Sequence, residues 1–397
     1  MNKMTIRDID VAGKRVLVRV DFNVPVDAET GEITDDSRIR AALPTIEYLI
    51  GQNARVILMS HLGRPKGKVS DKLRLAPVAK RLSELLGQQV AVTTDCIGPD
   101  AEKAAAGLES GRVVLLENLR FHAEEEAGDK AFAGALAKLG DVYVDDAFGT
   151  AHRAHASVSV IAEYLPAVAG FLMEKEIATL GNLLENPEHP FTAMFGGAKV
   201  SDKSALLKNI MDKVDCVLIG GGMAASFLKA KSYEIGQSLI EEGSVEAAGG
   251  IISDTSGGKV RLVLPIDVVV ADDIVDSAEA EVVPADSVPL GKKIADIGPQ
   301  SVIEFGRELK KSKTLFWNGP VGVHEIPKFA GGTKALAEIL AGLDATTVIG
   351  GGSTAEVIHT MGLTDKVTFV STGGGASLEF LGGEALPGVV ALMDKEA

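Results

Sequence analysis

Short apolar runs recur along the chain, each followed by a turn and then by a stretch with apolar positions three or four apart. Val16-Leu17-Val18-Arg19-Val20 is the first run, and Asp21-Phe22-Asn23-Val24-Pro25 follows it. From Ser37 through Ile50, the residues Ile39, Leu43, Ile46 and Ile50 keep near a 3–4 spacing, which predicts a helix. Arg55 to Met59 predicts a second strand, running into Ser60-His61-Leu62-Gly63-Arg64-Pro65. Leu75 to Leu86 predicts an amphipathic helix stopped by Gly87. Further strands are predicted at Val90–Val92, Val113–Leu116 and Val142–Val144, with a helix near Lys130–Leu139. The runs are continuous rather than alternating. That suits parallel strands buried on both faces, with crossover helices between them.

Met173 to Asn186 predicts a long helix, closed by Asn186-Pro187, and the domain join is placed just before it. A second series follows, with strands at Phe191–Phe195, Cys216–Ile219, Val260–Leu264, Thr314–Trp317, Thr347–Ile349 and Val367–Val370. Ala271 to Ser287 is acidic and Pro-containing, and is read as surface. The fold class expected is α/β in two domains, 1–172 and 173–377. The length of 397 residues fits two domains at about 100–200 residues each.

A formal net charge of −15 argues against nucleic acid or an anionic membrane as a partner. Small anions stay open, because a local Arg cluster acts within a Debye length of about 8 Å. The two cysteines, Cys96 and Cys216, show no disulfide framework, and no zinc-type spacing of Cys and His is visible. Met1–Asp10 lacks the apolar core of a secretory signal, and no run approaches the roughly 18 apolar residues of a membrane span. A cytoplasmic location is the expectation.

The first-half strand ends carry polar clusters: Asp21 and Asn23, His61 and Arg64, Arg120, and then His152, Arg153 and His155. In open parallel sheets, ligands bind beyond the carboxyl ends of the strands. Arginine grips phosphate and carboxylate bidentately, so these residues with Arg38 suit a small phosphorylated acid. Each Arg taken alone reads more readily as a solvated or salt-bridged surface residue, and it is the set of them near strand ends and helix starts that points to the acid.

The second-half turns are glycine-rich: Gly196-Gly197-Ala198-Lys199, Gly220-Gly221-Gly222, Asn318-Gly319-Pro320, Gly350-Gly351-Gly352-Ser353-Thr354 and Gly373-Gly374-Gly375. A glycine turn opening a helix bares amides that attract anions. It serves equally as a plain flexible turn. Lys199 and Lys203 are four apart, which would put both on one face of a helix starting there, for a polyphosphate or simply at the surface. Neither Gly-x-x-x-x-Gly-Lys-Ser/Thr nor Gly-x-Gly-x-x-Gly occurs, which speaks against a P-loop NTPase and a dinucleotide dehydrogenase.

Ordered motifs along the whole chain resemble phosphoglycerate kinases. They are Arg19-Val20-Asp21-Phe22-Asn23-Val24-Pro25, Ser60-His61-Leu62-Gly63-Arg64-Pro65, Glu117-Asn118-Leu119-Arg120-Phe121 and Gly149-Thr150-Ala151-His152-Arg153-Ala154-His155. Gly196-Gly197-Ala198-Lys199-Val200, Gly220-Gly221-Gly222-Met223-Ala224, Trp317-Asn318-Gly319-Pro320-Val321-Gly322 and Ser371-Thr372-Gly373-Gly374-Gly375-Ala376-Ser377-Leu378-Glu379 complete the set. The resemblance implies two Rossmann-like three-layer α/β/α domains with mostly parallel sheets, joined by a helix and hinge segments. It also implies a tail of about 378–397 packing back on the first domain. The implied reaction is reversible, glycolytic transfer of a phosphoryl group from 1,3-bisphosphoglycerate to Mg-ADP, giving 3-phosphoglycerate and Mg-ATP, by direct in-line transfer after domain closure in a monomer.

By match, Asp21, Asn23, Arg38, His61, Arg64, Arg120 and Arg153 would hold the phosphoglycerate. Gly197, Ala198, Lys199, Lys203, Gly221, Gly222, Asn318, Glu325, Gly351, Gly352, Ser353 and Thr354 would hold the nucleotide. Arg38, Lys199, Gly373, Gly374 and Gly375 would serve the phosphoryl in flight. Three residues depart from the family's pattern. Ser353 stands where the family usually has the Asp that supports Mg²⁺, His324 stands for Phe, and Ile294 replaces a small residue near the adenine pocket. Two further readings stay in view: a binding or regulatory protein that kept the fold and lost turnover, and a sugar-nucleotide or dehydrogenase-like two-domain enzyme.

Overall fold

A computed structural model describes residues 2–27 and 30–395. The chain forms two compact units, Met1–Ala178 with Ala385–Ala397, and Thr179–Glu384. The division falls within the helix Phe171–Glu185, the long helix expected here, a few residues beyond the 172/173 join expected from sequence.

In the first unit the strands are β1 (Arg15–Arg19), β2 (Arg55–Met59), β3 (Ala91–Val92), β4 (Val113–Leu115), β5 (Val142–Asp145) and β6 (Ala167–Ala169). They form one parallel sheet in the order β3-β4-β2-β1-β5-β6. Val16 of β1 pairs with Val56 on one side and Val142 on the other, so β1 is central, and its successive residues Val16 to Arg19, which point to alternate faces, are all buried. That explains the unbroken apolar runs. The helix Ser37–Gly51 lays Ile39, Ile46 and Leu49 onto this core. The helix Ala76–Leu86 adds Val78 and Leu82, and it stops where Gly87 turns to φ 64°. Beyond residue 384 the chain joins this unit, with Gly388 N donating to Ala151 O (2.8 Å) and Met393 N to Ala167 O (2.9 Å). The expected tail began at 378. Residues 375–381 instead form a helix of the second unit, where Asn209 Nδ2 donates to Leu381 O at 2.7 Å.

The second unit holds β7 (Phe191–Phe195), β8 (Cys216–Ile219), β9 (Glu234–Ile235), β10 (Arg261–Val263), β11 (Asp267–Ala271), β12 (Glu281–Pro284), β13 (Ser287–Val288), β14 (Lys293–Ile297), β15 (Thr314–Asn318), β16 (Thr346–Gly350) and β17 (Phe369–Val370). Six of them form a second parallel sheet, β10-β8-β7-β15-β16-β17. Trp317 is fully buried on β15 within the cluster of Met194, Leu218, Phe305 and Ile349. The Rossmann-like plan expected for both domains is therefore present twice.

A small antiparallel sheet, β12-β11-β14, was not foreseen. It recruits part of the stretch read as plain surface, although Glu281, Val282 and Pro284 of β12 do face solvent. Ile294 sits on β14, packed near Leu228 and Ile235, with its amide donating to Ser238 Oγ at 2.9 Å. No helix among the described residues is long and apolar enough to cross a membrane.

Candidate functional site

In the first sheet β1 leads toward β2 and its neighbour β5 leads toward β6. These opposite directions make the carboxyl ends of β1 and β5 a topological switch point, where open α/β sheets bind ligands. Arg19 closes β1 as a fully buried guanidinium. It donates to Ser157 Oγ (2.9 Å) and Val20 O, and its Nη2 lies 3.1 Å from His61 Nδ1. Arginine has no lone pair to offer, so Nδ1 accepts and the His61 proton rests on Nε2. Burial holds His61 well below the usual imidazole range, reinforced by the charges of Arg19, Arg120, Arg38 and Arg153. His61 is thus a neutral Nε2–H donor among four guanidinium groups.

Asp21 tempers that field. Its Oδ2 accepts from Arg38 Nη1 at 2.6 Å, and its Oδ1 lies 4.0 Å from His61 Nδ1. Asn23 Oδ1 accepts from Gly63 N (2.8 Å), and Arg120 Nη1 donates to Gly63 O (2.9 Å), so the loop after β2 is held at both ends of one residue. Asn118 ties this loop to the one after β4, donating to Leu62 O and Leu73 O (2.8 Å each) and accepting from Arg120 N (3.1 Å). Arg64 is exposed on the same loop.

The Nε atoms of Arg120 and Arg153 are buried without a hydrogen-bond acceptor among the described residues. Arg120 Nε has only an ion-pair approach of 3.3 Å to Glu126. Burying such a donor unmet costs about 1–3 kcal/mol, and an anion is the partner that offsets it. His155 is pushed down to about 4 by burial and by the charges of Arg120, Arg19, Arg153 and His152. Burial also lowers His152, with Arg153 adding to it. Behind Arg19, the fully buried Glu125 accepts from Ser157 Oγ (2.5 Å) and Ser157 N (3.0 Å). Asp145 and Asp146, buried at the end of β5, are raised to about 7 by desolvation.

The second sheet repeats the arrangement with backbone in place of side chains. β7 leads toward β8 and β15 toward β16, so their carboxyl ends form its switch point. Gly197 N donates to Pro320 O (2.7 Å), Gly221 N to Val321 O (2.9 Å) and Met223 N to Gly197 O (2.9 Å). A Cβ on Gly221, at φ 63°, would lie 2.7 Å from both Gly197 N and Pro320 O. Only glycine allows these three turns to touch. Gly222 continues the helix Gly221–Ala230, and Ala198 Cα sits within 3.0 Å of where its Cβ would be.

Lys199 and Lys203 do not share a helical face, as the spacing predicted. Residues 196–200 are irregular, and a short 3₁₀ turn, Ser201–Lys203, precedes the helix Ser204–Ile210. Lys203 is buried and donates to Gly196 O at 2.9 Å, and burial lowers its pKa. Lys199 is 59 % exposed, 3.9 Å from Glu241.

Thr354 is buried, and its hydroxyl accepts from Gly319 N at 2.8 Å. Asn318 Nδ2 lies against Gly350 and Gly351. Gly352 and Ser353 are exposed in the first turn of the helix Gly352–Thr360. His324 Nδ1 lies 3.1 Å from Glu325 Oε2, and its Nε2 lies 4.0 Å from Glu356. After β17, Gly373 N donates to Ser371 Oγ at 3.1 Å, so that amide is already engaged. Gly374, at φ 53°, precedes the helix Gly375–Leu381, whose first-turn amides lack intrahelical acceptors.

Arg19, Glu125, Ser157 and Asn118 were not among the expected site residues. The signal for Arg19 was a charge inside an apolar strand run. Ser157 and Glu125 carried no local signal.

The phosphoglycerate kinase family model matches residues 6–384. The chain is 55% identical over 395 residues to a phosphoglycerate kinase of Moorella thermoacetica, covering 100% of both chains. It is also 55% identical to that of Pelotomaculum thermopropionicum, again over 100% of both. Among solved structures it is similar to phosphoglycerate kinase from Coxiella burnetii, with a TM-score of 0.88, 41% identity and 98% of each chain covered. The same enzyme from Pyrococcus horikoshii gives 0.86, 34% and 98% of each chain. The chain belongs to the phosphoglycerate kinase family and catalyses reversible phosphoryl transfer from 1,3-bisphosphoglycerate to ADP, giving 3-phosphoglycerate and ATP, a reaction of glycolysis.

Proposed function

We propose that the two substrates of this reaction are divided between the two switch points. The basic cluster of the first unit takes the phosphoglycerate through Asp21, Asn23, Arg38, His61, Arg64, Arg120 and Arg153. The glycine-rich edge of the second takes the nucleotide through the turns at Gly197–Lys199, Gly221–Gly222, Asn318 and Gly351–Thr354, with Lys203 and Glu325. The observation that carries this reading is the gathering of Arg19, Arg38, Arg120 and Arg153 around one neutral imidazole in a chain of net charge −15. A phosphorylated carboxylic acid is the kind of ligand that supplies charge for such a field.

The reaction asks little covalent chemistry of the protein. Its nucleophile is a carboxylate or a phosphate oxygen, already ionised at neutral pH, so no general base is needed. What matters is alignment in line and stabilisation of charge on the transferring oxygens. Arg38 and Lys199 supply mobile positive charge for that group, and the amides of Gly374 and Gly375 supply fixed dipoles. Gly373 then acts through the turn it shares with Ser371 more than through its own amide.

Mg²⁺ bound with the nucleotide would supply neutralisation of phosphate charge. Of the second unit's side chains, the exposed hydroxyl of Ser353 would be the one to hold it, as a hard but neutral and therefore weak oxygen ligand beside the nucleotide's own phosphates. The reading is of a monomer in the cytoplasm. A coupled assay in both directions, with Mg²⁺ and with Mn²⁺, tests it on the full chain and on Lys199→Ala. The variant is expected to lose about 10²–10³ in kcat, the range for removing one charge-stabilising donor. Unchanged turnover would remove Lys199 from its role.

A further inference from the structure

Asp95 and Cys96 follow β3, and His122 follows the 3₁₀ turn Leu119–Phe121. They stand on separate loops, which is why their sequence spacing shows no metal motif. In the fold one carboxylate oxygen of Asp95, Cys96 Sγ and a ring nitrogen of His122 all lie within 4.8 Å of one another. Asp95 Oδ1 is 2.6 Å from His122 Nε2 and accepts from Cys96 N at 2.7 Å. The thiol and the imidazole therefore flank one carboxylate.

The surroundings hold this trio in place. Thr93 Oγ1 donates to Asp95 O at 2.6 Å, and the His122 ring lies against Phe132 with centroids 5.2 Å apart. Val92 of β3 pairs with Leu115 of β4, so the two loops leave from adjacent strands. The thiol is fully buried, whereas the His122 and Asp95 side chains are 26% and 48% exposed. The sulfur is thus the buried member of the trio, and the imidazole and the carboxylate are its solvent-reached members.

We propose that Asp95, Cys96 and His122 form a binding site for a borderline divalent cation of the zinc class, with the fourth position open to water. Thiolate, imidazole and carboxylate are the donors zinc takes, and three protein ligands plus water complete a tetrahedron. Mg²⁺ prefers oxygen alone, so the cation that accompanies the nucleotide does not compete here.

The exchange balances. The Cys96 thiol gives its proton to solvent and binds as thiolate. His122, whose Nε2–H faces Asp95, shifts that proton to Nδ1 through solvent and offers the Nε2 lone pair, and Asp95 turns from accepting the Nε2 proton to binding the cation. One proton leaves per cation bound when His122 starts neutral, and two when it starts protonated. Asp95 Oδ1 and His122 Nε2 must part from 2.6 Å to about 3.4 Å, the edge of a tetrahedron with bonds near 2.1 Å. A small rotation of the half-exposed carboxylate supplies that. Binding would tie the loop after β3 to the segment that carries Arg120, two residues before His122.

Titration of the full chain with Co²⁺, followed by absorbance, tests the proposal. The expected result is a near-ultraviolet thiolate-to-cobalt charge-transfer band with tetrahedral d–d bands at one equivalent, displaced by Zn²⁺ and not by Mg²⁺. Cys216→Ala keeps the band and Cys96→Ser loses it. His122→Gln changes a solvent-reached residue, so it tests the site even where Cys96→Ser folds poorly. It should bind cobalt at least about tenfold more weakly, the lower bound for losing even an outer-shell partner. Zn²⁺ in excess should raise the melting temperature of the native chain more than that of His122→Gln, since a ligand bound only to the folded state stabilises it. No charge-transfer band in the native chain, or a band unchanged in His122→Gln, would overturn the proposal and leave Asp95–His122 as a hydrogen-bonded strut.

Discussion

Arg19 donates to His61 Nδ1, and that single contact leaves His61 with one proton to offer, on Nε2. Burial first, and then the charges of Arg120, Arg19 and Arg153, hold His155 near 4 in the fold against about 6.5 when the chain is unfolded. Between those values the unfolded state binds more protons, so this group's contribution to stability is present above about 6.5 and is lost as pH falls toward 4. Denaturant unfolding of the native chain and His155→Gln should show the native chain's advantage shrinking by up to about 1.4 kcal/mol per pH unit across that window. A pH-independent difference would mean that His155 is not held neutral. At the nucleotide edge, Ser353→Asp should raise affinity for the Mg-nucleotide, because a carboxylate replaces a neutral hydroxyl. Equal metal dependence of the two forms would sink that reading. Sequence exposed the residues at strand ends, where a polar cluster interrupts an apolar run. It hid Arg19 inside a strand and Glu125 on a helix, because their roles depend on pairing partners brought in from Ser157 and His61.

The elements were legible where one feature decides them. Gly87 stops a helix, and continuous Val, Ile and Leu runs mark strands covered on both faces. The antiparallel β11, β12 and β14 were not legible. β11 follows β10 after only three residues, and β12 exposes all of its residues but Val283 and ends at Pro284. The lysine pair was misread for a related reason: periodicity places residues on a helix only once a helix exists, and the backbone at 196–200 is spent on contacts between turns. Those contacts predict opposite outcomes at two glycines. Gly221→Ala puts a Cβ 2.7 Å from two backbone atoms at positive φ, and should destabilise the chain by at least about 1–3 kcal/mol while weakening ADP binding. Gly352→Ala meets nothing within 4 Å at a helical position, and should be neutral or stabilise by up to about 1 kcal/mol. Melting curves of the two variants decide this, and equal losses would contradict it.

For the molecule as a whole, two parallel sheets follow from the two series of apolar runs, and in the proposed division each takes its substrate at its own switch point. The net charge of −15 hides this, because the positive charge that matters is gathered at one sheet edge. The unit boundary and the return of the last residues were less legible, since they depend on which core the helices Phe171–Glu185 and Gly375–Leu381 join. The division of substrates is the central claim, and equilibrium titration by calorimetry tests it most directly. The native chain, Arg153→Ala and Lys199→Ala are each titrated with 3-phosphoglycerate and, separately, with Mg-ADP. Losing a charge-assisted contact worth about 1.5–3 kcal/mol should weaken 3-phosphoglycerate roughly ten- to hundredfold in Arg153→Ala with Mg-ADP unchanged, and the reverse should hold in Lys199→Ala. Crossed effects, or equal weakening of both ligands in either variant, would contradict the account.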